Sequence, residues 1–286
     1  MSHVTGAATS HPGMVRIPGG TFRMGSDHHY VEEKPVHTVT VSGFWMDETP
    51  VTNAQFRGFI EATGHVTEAE RFGWSFVFGG LLPDDFPDTR GVASTPWWRQ
   101  VFGADWRHPD GPHSDLSDRD DHPAVHVAWT DATAYASWAG ARLPTEAEWE
   151  RAARAGSTAA YPWGNELEPD GRHMANVWQG EFPNANTLAD GWLGTSPVGT
   201  YPANDFGLVD TIGNVWEWTA DWFSPHHGGD PVTDPTGPSE GTHRVMKGGS
   251  YLCHASYCRR YRPAARLGNT PDSSAGNVGF RVVTDG

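Results

Sequence analysis

The stretch that most restricts the fold begins after Gly156. From there the chain runs for about ninety residues that are mostly Gly, Pro, Asn, Asp and Trp, a length at which unstructured loops in compact domains are usually functional. The whole sequence contains 34 Gly, 22 Pro and 14 Trp in 286 residues, which favours a loop-rich fold packed by aromatic side chains over one built from long helices. Bound cations would explain how such loops are held in place.

Short regular elements are expected on either side of these loops. Three strands are predicted at 15–17, 21–25 and 37–42; the first two flank a Gly turn, and the third alternates apolar and polar residues. Three helices are predicted over 52–64, 130–140 and 145–156 from capping residues, apolar spacing and terminal glycines. The segment 71–106 is rich in aromatic residues and is interpreted as a loop region. The pattern predicts one α+β domain with little regular secondary structure.

Composition also excludes several classes of function. The formal net charge of −15 argues against nucleic acid and anionic membrane surfaces, and it suits a basic partner. No apolar run is long enough for a membrane span. Residues 1–13 lack the features of a secretory signal and are expected to be a disordered lead-in to a single domain at 14–286. The scarcity of cysteine favours a reducing cytoplasm.

The two cysteines, Cys253 and Cys258, lie within one six-residue window. One interpretation is a local disulfide or two inert core thiols. The other is a reactive pair or a two-thiolate site for a soft ion such as Cu(I). Nearby arginines at 259, 260 and 262 could lower the pKa of either thiol. Spacing alone leaves both interpretations open.

Other polar residues also have two interpretations. Asn176, Asp190, Asp210 and Glu217 lie in or beside Gly-rich loops and provide oxygen atoms of the kind that Ca²⁺ prefers, but ordinary turn residues have the same composition. His254 lies between the thiols and either points to solvent or contacts a thiol or a bound peptide. The remaining histidines show no zincin-like pairing.

Several motifs together resemble one family. The block GGSYLCHASYCRRYRPAAR at 248–266, followed by NTPDSSAGNVGFR at 269–281, resembles the C-terminal active-site region of the formylglycine-generating enzymes, which are sulfatase-modifying oxidases. Further matches are RIPGGTFRMGS, RLPTEAEWERAAR, YPWGNE, NVWQGEFP and GNVWEW. The GGTFRMG and GNVWEW segments are shared with a wider superfamily and indicate the fold alone. The resemblance implies a single α+β domain related to the C-type lectin-like superfamily.

The resemblance also implies an activity. A cysteine in a sulfatase Cys-x-Pro-x-Arg segment, bound as an extended unfolded peptide, is oxidised by O₂ to Cα-formylglycine. Cys253 and Cys258 hold Cu(I), and the substrate thiol joins the metal. O₂ binds beside Ser250 and Trp216, a hydrogen leaves the substrate Cβ, and the thioaldehyde is hydrolysed. Tyr257 matches the tyrosine that precedes the second cysteine of the family. The enzyme is expected to act as a monomer.

The same resemblance implies two sets of ligands for structural calcium. It also implies a substrate pocket. One calcium site falls on the side chains of Asn176 and Asp190 with the carbonyls of Val177 and Trp192. The other falls on the side chains of Asp210 and Glu217 with the carbonyls of Gly213 and Val215; the family often has Asn at position 210. Pocket-wall roles fall on Asn269, Thr270 and Asp272.

Departures from the family pattern refine the expectation. Extra structural cysteines of eukaryotic members are replaced here by Ala136, Ala153, Pro263 and Val282, which fits a bacterial-type enzyme. Trp74 stands where family members can carry Asp. Two alternatives are a non-haem iron oxygenase of the ergothioneine-synthesis type and a non-catalytic binding module of the same fold. The first would need a His-rich helical domain before the GGTFRMG segment, and the second has no reason to keep two thiols.

Overall fold

The computed structural model describes residues 11–286, so most of the predicted 1–13 lead-in lies outside the described residues. Four short helices are present: α1 (Asn53–Thr63), α2 (Glu68–Phe72), α3 (Trp129–Trp138) and α4 (Glu146–Arg154). The strands are β1 (Met14–Ile17), β2 (Gly20–Met24), β3 (His37–Val41), β4 (Phe44–Asp47), β5 (Trp74–Phe78), β6 (Gly91–Val92), β7 (Thr95–Phe102), β8 (Gly180–Glu181), β9 (Ala185–Asn186), β10 (Trp216–Trp222), β11 (Val232–Thr233), β12 (Arg244–Lys247), β13 (Arg266–Asn269), β14 (Val278–Gly279) and β15 (Val283–Asp285). Few helices and several small sheets confirm the predicted fold class.

The strands form five small sheets, with the orders β1-β4-β15, β13-β12-β10-β14, β11-β3-β2, β5-β7-β6 and β8-β9. The predicted strands at 15–17, 21–25 and 37–42 are confirmed, although β1 and β2 belong to different sheets. The first and last strands, β1 and β15, lie on either side of β4 and both pair with it. The sheet around β10 carries the residues that concern function.

Local chemistry explains where the helices begin. Thr52 and Thr145 each accept a hydrogen bond from the main chain three residues later, and Gln55 and Glu148 bond back, so both capping boxes are confirmed. Helix α3 begins at Trp129 rather than Thr130, since the Asp131 carboxylate accepts a bond from the main chain of Ala128. Helix α4 ends at Arg154, and the residue that caps it in the left-handed conformation is Ala155 rather than Gly156.

The interpretation of 71–106 as a loop region was wrong. Strands β5 and β7 pair in an antiparallel ladder from Trp74 opposite Phe102 to Phe78 opposite Trp98. A further helix, α2, precedes them and is capped by a reciprocal pair of bonds between Thr67 and Glu70. The aromatic side chains of this segment therefore lie on a sheet.

The largest hydrophobic core cluster surrounds the cysteines. It contains aromatic residues of α1, α3 and β10, including Phe56, Tyr135 and Trp218, and both Cys253 and Cys258 belong to it. The two thiols are therefore packed in the interior of the main core and are held rigidly by it. None of the helices in residues 11–286 has the length and apolar character needed to cross a membrane.

Candidate active site

The two thiols meet in a short buried loop. The sulfur atoms of Cys253 and Cys258 lie 2.8 Å apart, both thiols are free, and the residues are 2% and 7% exposed. The Cys258 main-chain nitrogen donates to the His254 carbonyl at 2.7 Å, and the Cys253 nitrogen donates to the Ser250 carbonyl at 2.8 Å. These two local turns bring side chains five residues apart into contact.

The two thiols have different electrostatic surroundings. Burial raises the pKa of the Cys253 thiol, and the neighbouring Cys258 raises it further. The hydrogen bond from Cys253 lowers the pKa of Cys258 to about 7, and donors and charge on Arg260 add to this. The geometry therefore favours a Cys258 thiolate that accepts a hydrogen bond from the Cys253 thiol. The prediction that nearby arginines lower a thiol pKa holds for Arg260 and Cys258.

A distant segment, Tyr30 to Glu33, holds the arginines that follow the thiols. The Glu32 carboxylate lies 2.6 Å from the Arg260 guanidinium, which also stacks over the Tyr30 ring at 3.8 Å. The Tyr30 hydroxyl accepts a hydrogen bond from the Arg259 main-chain nitrogen at 3.0 Å. This segment fixes the position of Arg260 beside Cys258.

A second ion pair, between Arg262 and Glu33, also holds this loop. Arg262 and Glu33 form a bidentate pair at 2.6 and 2.9 Å, and both side chains are almost completely buried. Arg262 is therefore committed to Glu33. Because loss of one partner of a buried pair leaves an uncompensated charge, this contact strongly restricts where the loop can lie.

His254 does not contact either sulfur through its ring. Its Nδ1 lies 2.8 Å from the Ser256 hydroxyl, and it contributes to the thiol loop through the carbonyl that accepts from Cys258. Among the described residues, polarisation of a thiol by this imidazole has no geometric support.

Ser250 lies beside Cys253, Trp216 belongs to the same core cluster as both cysteines, and Asn277 links Ser250 to Trp216. The Asn277 side-chain amide donates to the Ser250 hydroxyl at 2.9 Å, and its carbonyl accepts from the Trp216 main-chain nitrogen at 2.8 Å. Ser250 and Trp216 are buried, and Trp216 packs in the same core cluster as the cysteines. Sequence reasoning missed Asn277, whose position after NTPDSS was the available signal.

Tyr257 lies at the surface end of the site. It is 39% exposed, its ring stacks on Phe182 at 4.8 Å, and it meets Trp97 edge-on at 4.7 Å. Phe182 also packs edge-on against Trp178, whose main-chain nitrogen donates to the Cys253 carbonyl. An aromatic wall therefore extends from the thiol loop to solvent.

The predicted pocket-wall residues lie in a turn after β13. The Asn269 side chain donates to the Ser273 hydroxyl and accepts from the Thr270 main chain. Asp272 is exposed. The turn continues into Ala275, which forms a bridge with Phe76 of β5. This contact places the turn beside the aromatic strand.

The residues of the first predicted calcium set lie in two loops, and Asn176 contacts the second of them. Asn176 forms a parallel bridge with Gly213, and its side-chain amide donates to the Gly194 carbonyl at 3.0 Å. The Asp190 carboxylate accepts from the Trp192 main chain and from the Tyr201 hydroxyl, each at 3.1 Å. The Val177 carbonyl accepts from the Gln179 side chain. These oxygen atoms fit the chemistry of a hard cation such as Ca²⁺.

In the second predicted calcium set, the two side-chain ligands have different surroundings. Asp210 is buried, its Oδ2 accepts from the Gly199 main chain at 2.7 Å, and its Oδ1 has no hydrogen-bond partner within residues 11–286. An unpartnered buried carboxylate oxygen fits a cation ligand. Glu217, in contrast, has both oxygens bound to Arg281 at 2.7 and 2.8 Å, and Trp149 donates to it at 2.7 Å. A cation at Glu217 would compete with this guanidinium.

The described residues contain no group of three or more His, Cys, Asp or Glu side chains arranged to hold a metal. The copper prediction depends on two thiols, and each calcium prediction depends on two side chains with main-chain oxygens. Cys253 and Cys258 fit a soft ion by the chemistry of their sulfur donors, which favour Cu(I) over hard cations.

Comparisons with known proteins identify the family of this chain. The family model of the sulfatase-modifying factor enzyme 1-like domain matches residues 2–286. A formylglycine-generating enzyme of Streptomyces coelicolor is 56% identical over 280 residues, covering 96% of this chain and 89% of the relative. That of Mus musculus is 53% identical over 278 residues, covering 95% and 75%. The solved structure of PvdO from Pseudomonas aeruginosa has a TM-score of 0.67 at 27% identity, covering 95% of this chain and 94% of PvdO. The chain belongs to the sulfatase-modifying factor family of formylglycine-generating enzymes.

Proposed function

We propose that this chain converts the cysteine of a sulfatase Cys-x-Pro-x-Arg segment to Cα-formylglycine, using O₂ as oxidant and Cu(I) held by Cys253 and Cys258. The observation that carries the proposal is the pair of free, buried thiols whose sulfur atoms lie 2.8 Å apart. The relatives named formylglycine-generating enzyme support the reaction type. The proposal includes that the protein acts as a monomer in the cytoplasm.

The environment of the thiols suits a metal ligand pair more than a structural bridge. A disulfide stabilises mainly by closing a long loop, and the loop between Cys253 and Cys258 is very short. Metal binding requires thiolates, and Arg260 favours the thiolate of Cys258. When bound, Cu(I) supplies a soft centre for sulfur that can give one electron to O₂.

The overall chemistry balances if a small thiol is the co-reductant. The substrate loses two electrons and two protons as its –CH₂–SH group becomes –CH=S. Two molecules of the small thiol lose two more of each and form one disulfide. The four electrons and four protons reduce O₂ to two molecules of water. Water then adds to the thioaldehyde carbon, and H₂S leaves to give the aldehyde.

Residues around the thiols supply orientation and a dry pocket. Ser250 presents a hydroxyl that Asn277 orients, and Trp216 provides a buried aromatic wall held by the same Asn277. Burial of this region excludes bulk water and strengthens electrostatic interactions inside it. These residues are suited to hold a small apolar molecule such as O₂ close to the substrate carbon.

The substrate is proposed to bind as an extended peptide whose arginine contributes to recognition. The net charge of −15 attracts a basic segment, and a carboxylate can bind a guanidinium through two hydrogen bonds. Replacement of the substrate Arg by Gln should therefore lower kcat/KM. An unchanged kcat/KM for the Gln peptide would refute this part of the proposal.

The function is tested with a synthetic Cys-x-Pro-x-Arg peptide. The peptide is incubated with Cu(I)-loaded protein, O₂ and a small thiol, and its mass is measured. The expected product has lost sulfur and reacts with an aldehyde probe. A peptide with Ser at the target position is the control and should remain unchanged. If the Cys peptide stays unmodified while copper content and folding are verified, the proposed function is wrong.

A further inference from the structure

The β5–β7 hairpin presents an unusual face to solvent. In β5, Ser75 and Val77 are completely buried, and Val101 of β7 is buried on the same side. Trp74 and Phe76 point to the opposite face, since successive side chains of a strand alternate. A sheet with one solvated face normally carries polar residues there. Here the outer face carries the partly buried rings of Trp74 and Phe76, and Gln100, opposite Phe76, is the polar residue among them.

The outer face is continued by two more exposed rings. Phe102 stands opposite Trp74 in the ladder and is 67% exposed. Phe72, just before the strand, is 47% exposed, and its ring lies 6.1 Å from that of Trp74. Trp74 in turn meets Phe76 edge-on at 5.1 Å. These four residues, Phe72, Trp74, Phe76 and Phe102, form one patch, which we call the aromatic ledge.

The ledge is continuous with the thiol site. The inner end of the same sheet face is Phe78 opposite Trp98, and Phe78 packs edge-on against Trp178 at 5.4 Å. Phe78 and Trp178 share a cluster with Leu252, the residue before Cys253. Phe76 and Trp98 also pack against the core cluster that contains both cysteines. One sheet face therefore leads from the surface to the thiols.

We propose that the aromatic ledge binds apolar side chains of the substrate polypeptide outside the Cys-x-Pro-x-Arg motif. The inference rests on the proposed function and extends it from the motif to its flanking sequence. From Phe78 to Trp74 the strand covers four residues, or about 13 Å at ~3.3 Å per residue. An extended peptide needs the same number of residues to cover that length. Its contacts with the ledge therefore lie about four or more residues from the target cysteine.

An extended peptide fits the ledge better than a second copy of the chain does. The rings run from the partly buried Phe76, which packs against the core cluster of the cysteines, to the exposed Phe72 and Phe102, and a substrate bound at the thiols must leave along some surface. Contiguous exposed apolar area on a soluble protein marks interaction sites. The ledge has four residues, whereas stable interfaces use about 20–30 residues and about 800 Å² on each partner.

Binding is measured by fluorescence polarisation with three labelled peptides. One contains the motif alone, and the others extend it by six residues with two Leu on either the N-terminal or the C-terminal side. Copper-free protein is used so that no turnover occurs. We expect one extended peptide to bind about tenfold more tightly than the motif alone. Phe102→Ala and Trp74→Ala should remove that gain and leave the affinity for the motif peptide unchanged.

Trp138→Ala is the matched control, because Trp138 is an aromatic residue of α3 with 46% exposure that lies outside the ledge. This variant should retain the full gain from the extension. Equal affinity of all three peptides for the wild-type protein would overturn the inference. So would an equal loss for all peptides in the ledge variants. Self-association that Phe102→Ala abolishes, seen by sedimentation, would assign the ledge to a second copy.

Turnover of the motif peptide is recorded separately with Cu(I)-loaded protein. If wild-type protein oxidises the motif peptide but gains nothing from either extension, the ledge inference fails and the proposed function stands. If an extended peptide binds more tightly yet none is oxidised, the proposed function fails, and the ledge remains a peptide-binding surface.

Discussion

The thiol pair and the carboxylate of Glu217 are both buried, and both were predicted as metal ligands, but their surroundings differ. Cys253 and Cys258 have each other as the closest side-chain partner, at 2.8 Å. Glu217 lies on β10 and is bound by Arg281 through two contacts and by Trp149 through a third. A residue suited to a metal is available as a ligand only if the fold has not already given it another partner.

This difference follows from sequence separation. The cysteines are close in the chain, so two local turns bring them together. Arg281 is 64 positions from Glu217 and reaches it because β14 lies beside β10. The GNVWEW motif contains Glu217, but nothing in the motif indicates that Arg281 is its partner in the fold.

The largest expected effect is at the thiols. Cys253→Ser and Cys258→Ser should each abolish peptide oxidation and Cu(I) binding, because a hydroxyl is a hard donor with little affinity for Cu(I). Both variants should stay folded, since Ser is close to Cys in size. Copper stoichiometry and peptide mass are measured on the purified variants.

A structural disulfide predicts the opposite result for these variants. Its loss would cost typically 2–4 kcal/mol of stability, or less for so short a loop, while folded protein kept its activity. Oxidation near the wild-type rate by either folded variant would therefore contradict the two-thiolate site.

The next largest effect is expected at Glu217. Glu217→Gln should lower the free energy of unfolding by about 3–5 kcal/mol, because Arg281 would remain buried and charged without a partner. Denaturant unfolding measures the change. Adding Arg281→Met to Glu217→Gln should recover part of the loss, since the unpaired charge is then gone.

An exposed ion pair is the control for this experiment. Asp285, whose side chain is 83% exposed, pairs with Arg142 at 2.7 Å. Asp285→Asn should cost about 1 kcal/mol or less. If Glu217→Gln were equally mild after verified calcium removal, Arg281 would not be the essential partner, and Glu217 would be better explained as a cation ligand.

Local signals predicted much of this fold. The capping boxes at Thr52 and Thr145 were read correctly because Thr and a Gln or Glu three residues later act on each other directly. The same signal at Thr67 and Glu70 was overlooked, and with it α2. The hairpin of β5 and β7 was missed because its aromatic residues face outward and so lack the usual polar alternation.

The sequence predicted the candidate reactive residues of the site but not the residues that hold them in position. The resemblance placed the thiols and Ser250 in one block and matched Trp216 in the GNVWEW segment. Asn277 and the Tyr30–Glu33 segment could not be identified, since their contacts with Ser250 and Arg260 depend on tertiary packing. The ligand sets for calcium and copper stay predictions.

Asp221 lies on β10 with Glu217 and is a second buried carboxylate whose behaviour depends on its partners. Burial, and then the charge of nearby Glu146, raise the pKa of Asp221 to about 7 against the opposing effects of the Glu146 main-chain hydrogen bond and of Arg266. The folded chain thus holds a proton that the unfolded chain releases near pH 4. Stability should therefore fall as pH rises from about 4 to 7, by roughly 2–4 kcal/mol from this group.

Asp221→Asn should remove this part of the pH dependence, because the amide does not titrate. The variant should resemble wild type near pH 4 and be more stable at pH 8. Unfolding free energies at both values are compared as a difference, which cancels the contribution of Asp47, whose pKa burial also raises. A constant difference across this range would show that folding does not shift the pKa of Asp221.

The smallest expected effect is the removal of Ca²⁺. Asp210 has a buried carboxylate oxygen without a partner in residues 11–286, so a bound cation would offset its burial. A ligand at about 100 times its Kd adds roughly 2.7 kcal/mol to folding, so chelation should lower the melting temperature. Copper binding by Cys253 and Cys258 should persist, because the thiol loop is held by Glu32 and Glu33. Asp210→Asn should shrink the effect of chelation, and Asp230→Asn, at an exposed position, should not. An unchanged melting temperature after chelation, with calcium content verified, would mean that Asp210 carries its buried charge, or a proton, without a metal.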